Sequence, residues 1–215
     1  MFVRDRMSSP AVTITPDTAL QDALGLMHEG QFRRLPVVDD RAELIGIVSE
    51  RDLLYASPPP AALLGGQELD DLLSELRVQD IMTEEVITSA PNAFIEEAAR
   101  LMADNKIGGL PVVDEDNHVV GVITETDVFR AFIEIYRAGH SGLYLTLEVP
   151  DRKGVIVELS KAIFDWGGKI VSVSSFCDDR RGEHKLIIKG HDIEKDRVVG
   201  VLESLGYHVI DAHEL

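Results

Sequence analysis

The chain has 215 residues, 45% of them hydrophobic and 27% charged, with a formal net charge of −17 and one cysteine, Cys177. That length can bury one or two cores, and the acidity argues against nucleic acid, whose binding depends on Lys and Arg neutralising phosphates. A lone cysteine closes no intrachain disulfide, no apolar run approaches the ~20 residues of a membrane span, and Met1 to Arg6 has no signal-like apolar core, so a cytoplasmic setting away from membranes is expected.

Val3 to Met7 reads as a lead-in. Val12-Thr13-Ile14 predicts a short strand stopped by Pro16, and Asp17 or Thr18 a cap for a helix carrying Leu20, Ala23, Leu24 and Met27 at helical spacing. Val37-Val38 is a buried-type strand, Asp39-Asp40 a turn, and Leu44 to Val48 a second strand that runs into a helix from Ser49 to Ala56. Ser57-Pro58-Pro59-Pro60 cannot continue that helix, because proline lacks the N–H and restricts the residue before it. A further helix is predicted over Gln67 to Leu76, with Leu69, Leu72, Leu73 and Leu76 on one face. It packs between the flanking segments or receives a partner helix. From Val78 the pattern starts again, with one helix carrying Phe94 or Ile95, Ala98, Leu101 and Met102. Its last helix runs from Asp127 towards Arg137 and carries Val128, Ala131, Phe132 and Ile135. Ala138-Gly139-His140-Ser141-Gly142 reads as a linker.

The restart is a duplication. Gly46-Ile-Val-Ser-Glu-Arg-Asp52 returns 75 positions on (46 to 121) as Gly121-Val-Ile-Thr-Glu-Thr-Asp127, and Leu35-Pro-Val-Val-Asp39 returns as Leu110-Pro-Val-Val-Asp114. Val3, Asp5, Met7, Thr13, Pro16 and Ala23 have the same mates at Val78, Asp80, Met82, Thr88, Pro91 and Ala98, without a gap. In both copies a Ser or Thr ends an apolar strand, and an Asp follows three residues later at a helix start. One reading is a capping box. The other uses the same geometry, since a strand-to-helix turn favours a phosphate. The hydroxyl of Ser49 or Thr124 can then donate to that phosphate, and Asp52 or Asp127 can accept from vicinal ribose hydroxyls. The copies differ in one place: Arg33-Arg34 precedes the first Leu-Pro-Val-Val, and Gly108-Gly109 precedes the second. Guanidinium forks suit phosphate oxygens, although a solvated basic pair in an acidic protein is equally consistent with the sequence. The diglycine leaves room for a ligand or marks a site without phosphate selectivity, which predicts one strong site and one weak or empty one.

Beyond the linker the pattern changes. Leu143, Leu145, Leu147 and Val149 alternate with polar residues as in a half-buried strand. Pro150 to Gly154 turns the chain into a helix with Val155, Leu159, Ala162, Ile163 and Trp166 on one face, ended by Gly167-Gly168. Strands at Ile170 to Phe176 and Glu183 to Lys189, a helix at Ile193 to Leu205 and a strand at Tyr207 to Ala212 complete a βαββαβ order, the ferredoxin-like arrangement. The fold class is therefore α/β (α+β), with two repeats and a second domain.

The repeated Met, T-x-x-P, L-P-V-V-D and G-h-h-[ST]-x-x-D segments resemble a tandem pair of CBS domains, the Bateman module. That resemblance implies an adenine nucleotide (AMP, ADP or ATP, or S-adenosylmethionine, with or without magnesium) held by Ser49, Asp52, Thr124 and Asp127. It also implies that Arg33 and Arg34 reach the phosphates. Leu145 to Gly154 resembles the first turn of an ACT domain, with Lys153 where that turn usually has proline. Asp151 and Gly154 would then form an effector turn for an amino acid, or the sheets would serve to dimerise. Together with Leu72 to Met82, the chain resembles AcuB-type acetoin-utilisation proteins, implying a regulatory role towards a partner the sequence does not name.

Catalytic signatures are absent: there is no G-x-S-x-G elbow, Walker loop or H-E-x-x-H. The seven histidines lack paired ligand spacing, so His184 and His191 read as solvated rather than metal-binding. Asp178-Asp179 beside Cys177 disfavours a thiolate. The sequence thus predicts a non-enzymatic protein with no metal site of its own, homodimeric through its CBS and ACT domains. Repeats span 1–57 and 78–137, linkers 58–77 and 138–142, and the ACT-like domain 143–215. A dimerisation scaffold with vestigial sites and an amino-acid sensor are the rival readings.

Overall fold

The structure is a computed structural model and describes residues 1–56, 76–136, 141–178 and 183–214. The predicted Leu-rich helix at 67–76, apart from Leu76, and most of the linker at 138–142 lie outside the described residues. The chain forms two compact units, Met1–Ala131 and Phe132–Leu215.

In the first unit each repeat has a helix, two antiparallel strands and a second helix. They are α1 (Leu20–Gly30), β1 (Arg34–Val38), β2 (Leu44–Ser49) and α2 (Glu50–Ala56), then α3 (Ile95–Asn105), β3 (Gly109–Val113), β4 (Val119–Thr124) and α4 (Glu125–Ile135). The duplication extends to backbone detail. Among the described residues of this unit, the non-glycine ones with positive φ are Gln31 and Ala42, and their mates Lys106 and Asn117.

Several local expectations change. Val12 to Ile14 forms no strand; Ile14 makes one isolated parallel bridge to Val37. Neither Asp17 nor Thr18 caps α1, whose N-cap is Ala19 without a side-chain bond. The Thr18 hydroxyl instead accepts from the Thr15 N–H at 3.2 Å, closing the preceding turn. The Leu20 N–H donates to the Leu76 carbonyl at 3.3 Å, and the Ile95 N–H at the matching helix start donates to the Met1 carbonyl at 3.1 Å. Phe94 lies outside the core and stacks on Phe2, ring centroids 5.3 Å apart. On α4, Ala131 is buried, whereas Phe132 and Ile135 are exposed.

Those two helix starts reveal an exchange. The lead-in of each repeat packs on the body of the other: Val78 N–H bonds Thr18 O, and Val3 N–H bonds Ala93 O. Val78 completes the core of Leu20, Ala23, Leu35 and Val48, and Val3 completes that of Ile95, Ala98, Leu110 and Ile123. Both valines are fully buried, each contributing about 1.5–3 kcal/mol by burial. The methionines of the lead-ins explain the motif glycines. A β-carbon at Gly46 would lie 2.5 Å from Met82 Sδ, and one at Gly121 2.6 Å from Met7 Sδ.

The second unit contains β5 (Leu143–Val149), α5 (Val155–Asp165), β6 (Lys169–Asp178), β7 (Glu183–His191), α6 (Lys195–Ser204) and β8 (His208–Glu214). The strand order β6-β7-β5-β8 is antiparallel throughout. Alternation on β5 is as expected, with Leu143, Leu145, Leu147 and Val149 buried against Leu159, Ile163, Val198 and Leu202. Trp166 does not join that face. It is about half exposed, beneath the Arg197 guanidinium at 3.9 Å from ring centroid to Cζ. Gly167, at φ +79°, ends α5, and the Gly168 N–H closes back on Ile163 O at 3.0 Å.

Candidate functional site

Both Ser/Thr–Asp motifs stand at the junction of a strand and a helix, as the spacing requires. In the first repeat the Ser49 N–H and hydroxyl both donate to Asp52 Oδ2, at 2.9 and 2.6 Å. The Asp52 N–H returns a bond to Ser49 Oγ at 3.2 Å, a complete capping box. In the second, the Thr124 N–H and hydroxyl donate to Asp127 Oδ2 at 2.9 and 2.7 Å. The hydroxyl proton of each motif is therefore directed at its own carboxylate. Asp127 Oδ1 faces the Arg130 guanidinium at 3.8 Å.

The two motifs are not equivalent in their surroundings. A cleft of about 660 Å³, within the size range of small-molecule sites, is lined by Thr124, Asp127 and Arg130 of the second repeat. Arg33, Arg34 and the segment Pro10 to Val12 of the first repeat form its other side, and Ser49 and Asp52 are not among its lining residues. The two arginines, which the sequence placed with the first repeat's motif, thus line the same cleft as the second repeat's motif.

Arg34 is half-buried and lies against the diglycine. A β-carbon at Gly108 would stand 2.7 Å from Arg34 Nη2, and one at Gly109 3.5 Å from Arg34 Nη1. Burial pushes the Arg34 pKa below its usual value, while Glu125 and Asp52 counter this and Arg33 adds to it. Arg33 is largely exposed, 4.0 Å from Glu50. Sequence reasoning missed Arg130 and Glu125. Arg130 carried the available signal, standing three residues beyond Asp127 on one helical face.

The other predicted turn is built differently. Gly154, at φ +92°, is the N-cap of α5 without a side-chain cap, and Asp151 is exposed, 3.6 Å from His184. Beside it, Arg152 makes two bonds to Glu158, each 2.7 Å, and the Tyr207 hydroxyl donates to Glu158 Oε2 at 2.6 Å. These bonds lower the Glu158 pKa to about 2, with Arg152 the main cause and Tyr207 next. Burial, then the Glu158 hydrogen bond, raises the Tyr207 pKa. Forty-nine residues separate Glu158 from Tyr207, so no local pattern announces the pair. Among the described residues, no three His, Cys, Asp or Glu side chains are grouped to hold a metal ion, and no helix is long and apolar enough to cross a membrane.

This architecture has close parallels. The chain is similar to AcuB of Vibrio cholerae, a protein assigned to acetoin utilization, at 36% identity over 64% of this chain and 93% of that one, TM-score 0.53. It is similar to CBSX2 in its complex with AMP, at 35% identity over 63% and 98%, TM-score 0.53. It also resembles the CBS domain pair of protein MJ0100 in complex with 5′-methylthioadenosine and S-adenosyl-L-methionine, at 28% identity over 61% and 95%, TM-score 0.52. The CBS domain model matches residues 3–58 and 78–134, over half of the sequence, and the chain belongs to the CBS-domain family as a tandem pair.

Proposed function

We propose that the chain is a non-catalytic regulatory protein that senses an adenine nucleotide in the cleft of its paired CBS repeats. The observation that carries this reading is the meeting of Asp127 and Thr124 with Arg33, Arg34 and Arg130 in one cleft of nucleotide size. In this reading Asp127 holds the ribose hydroxyls and the Thr124 hydroxyl turns to the ligand. The arginines neutralise the phosphate, with magnesium an optional companion. Ser49 and Asp52 form the corresponding but weaker site. The relatives' complexes with AMP and with S-adenosyl-L-methionine support an adenine ligand.

The proposal extends to residues 143–215 as an ACT-like domain through which, or through an unnamed partner protein, the bound state is transmitted. The strand order of that unit supports this assignment. A homodimer is part of the same reading, because matched positions on α2 and α4, Leu54 and Phe129, are both exposed. Asp151 and Gly154 are the candidate effector turn of the rival, amino-acid-sensing reading. The adjacent turn is held by the Arg152–Glu158–Tyr207 network, whose charges already satisfy one another.

Thermal unfolding of the full chain against AMP, ADP, ATP, S-adenosylmethionine and amino acids, with and without magnesium, tests the proposal. A ligand of the folded state at a hundredfold excess over Kd stabilises by about 2.7 kcal/mol. An adenine compound should raise Tm, and Asp127→Ala should abolish the rise. Stabilisation by an amino acid alone would transfer sensing to the C-terminal unit, and no shift with any compound would favour a scaffold.

A further inference from the structure

Arg34 and the diglycine belong to different repeats, yet they occupy one place. The mates of Arg33 and Arg34 under the 75-residue repeat are Gly108 and Gly109. Were the two halves alike, arginine side chains would meet arginine side chains across the pseudo-symmetric centre. Instead, the Arg34 guanidinium lies over Gly108 and Gly109, with Glu125 Oε2 3.0 Å from the place a Gly108 β-carbon would take. No positive φ requires glycine at 108 or 109. What position 108 demands is space. Position 109 is also pressed by backbone, the Ile123 carbonyl lying 3.1 Å from its would-be β-carbon.

We propose that Gly108 is a specificity-determining residue, which lets Arg34 cross from the first repeat to the second and makes the Thr124–Asp127 cleft selective for a phosphorylated adenine nucleotide over an uncharged nucleoside or a sulfonium compound. The inference rests on the nucleotide-sensing reading and adds to it how the phosphate is chosen. Arg33, Arg34 and Arg130 give the cleft three guanidinium groups against the carboxylates of Glu125 and Asp127. In a chain of net charge −17 this is a local excess of positive charge. A ligand phosphate is attracted there, and a sulfonium is not. Glu125 attracts the Arg34 guanidinium, and both groups stand beside Gly108. The pairing is unequal by construction, because the mates of both arginines are glycines and supply no cation to Ser49 and Asp52.

The test is isothermal titration of the full chain and of Gly108→Ala, Arg34→Ala and the double variant with AMP, adenosine and S-adenosylmethionine. The alanine β-carbon at 108 meets the far ends of two flexible side chains, Arg34 and Glu125, so the variant should fold while displacing the guanidinium and shifting Glu125. Gly25→Ala, whose β-carbon meets nothing within 4 Å, is the control. We expect one AMP per chain, bound more tightly than adenosine or S-adenosylmethionine. Each single variant should lose roughly tenfold or more in AMP affinity with adenosine affinity unchanged. The double variant should bind AMP no more weakly than Arg34→Ala, because both act through one guanidinium. If the wild type binds AMP but Gly108→Ala binds it equally well, the inference falls while the nucleotide reading stands. Equal loss of adenosine and AMP, additive losses in the double variant, or two equivalent AMP sites would likewise overturn it. Failure of the wild type to bind any adenine compound overturns both.

Discussion

Asp127 and Asp52 stand at matching repeat positions, each accepting from the hydroxyl three residues before it, yet they differ in what surrounds them. Asp127 is buried beside a cleft with Arg130 at its free oxygen, whereas Asp52 completes a capping box outside that cleft. Asp127→Ala should therefore lower AMP affinity by roughly tenfold or more, and Asp52→Ala should chiefly lower Tm. Titration calorimetry and thermal unfolding of the two variants separate these effects. Glu158 gives a prediction of a different kind. Its folded pKa of about 2 lies below its ordinary 4.5, so its network stabilises the fold fully above pH 4.5. That contribution is lost as pH falls from 4.5 through about 2. Acid unfolding of the full chain, compared with Glu158→Gln, should show the wild type's advantage at neutral pH shrinking across that window. The Asp-containing turn was legible in the sequence at this scale. The Arg152–Glu158–Tyr207 network was not, because its members come from the turn, α5 and the residue preceding β8, and only folding brings them together.

At the scale of elements, the exchanged lead-ins dominate. Their methionines lie over glycines of the opposite repeat's second strand, so Gly121→Ala should force Met7 and the Ser8 carbonyl, 2.9 Å from the new β-carbon, to move. Overpacking of this kind costs about 1–3 kcal/mol. Denaturant unfolding should show that loss, and adding Met7→Ala should relieve only the part due to sulfur, since the carbonyl contact remains. The helices and strands themselves were readable from period and turn residues: β5 buries all four residues its alternation marked, and α1 and α3 bury theirs except Leu24 and Leu101, which are half-buried. Where the reading failed, a competing contact had intervened. Thr18 closes a turn instead of capping α1, and Trp166 lies under Arg197 instead of entering the core.

For the whole molecule, the proposed homodimer makes its own prediction. Leu54 on α2 and Phe129 on α4 are 59% and 65% exposed, at equivalent repeat positions. An apolar residue left in water at the same place in both repeats fits a surface covered by a second copy. Sedimentation of the full chain should give a dimer, and Leu54→Asp with Phe129→Asp should give a folded monomer. A monomeric wild type would remove dimerisation from the proposal and leave the cleft untouched.

The sequence by itself determined the duplication, the type of most elements, the Ser/Thr–Asp motifs at their strand-to-helix turns and the βαββαβ order of the C-terminal unit. These are local properties, set by side-chain periodicity, caps and turn residues, and they need no distant partner. The tertiary structure alone decided which repeat each lead-in completes and which cleft Arg34 lines. A gapless internal repeat leaves the pairing of the copies open on paper: Val3 can pack in its own repeat or in the other, and Arg34 can face Asp52 or Asp127. Packing resolves that degeneracy for the lead-ins, because each finds its hydrogen bonds and apolar pocket on the opposite body, and it lays the Arg34 guanidinium against Gly108 and Gly109, within the field of both Glu125 and Asp52.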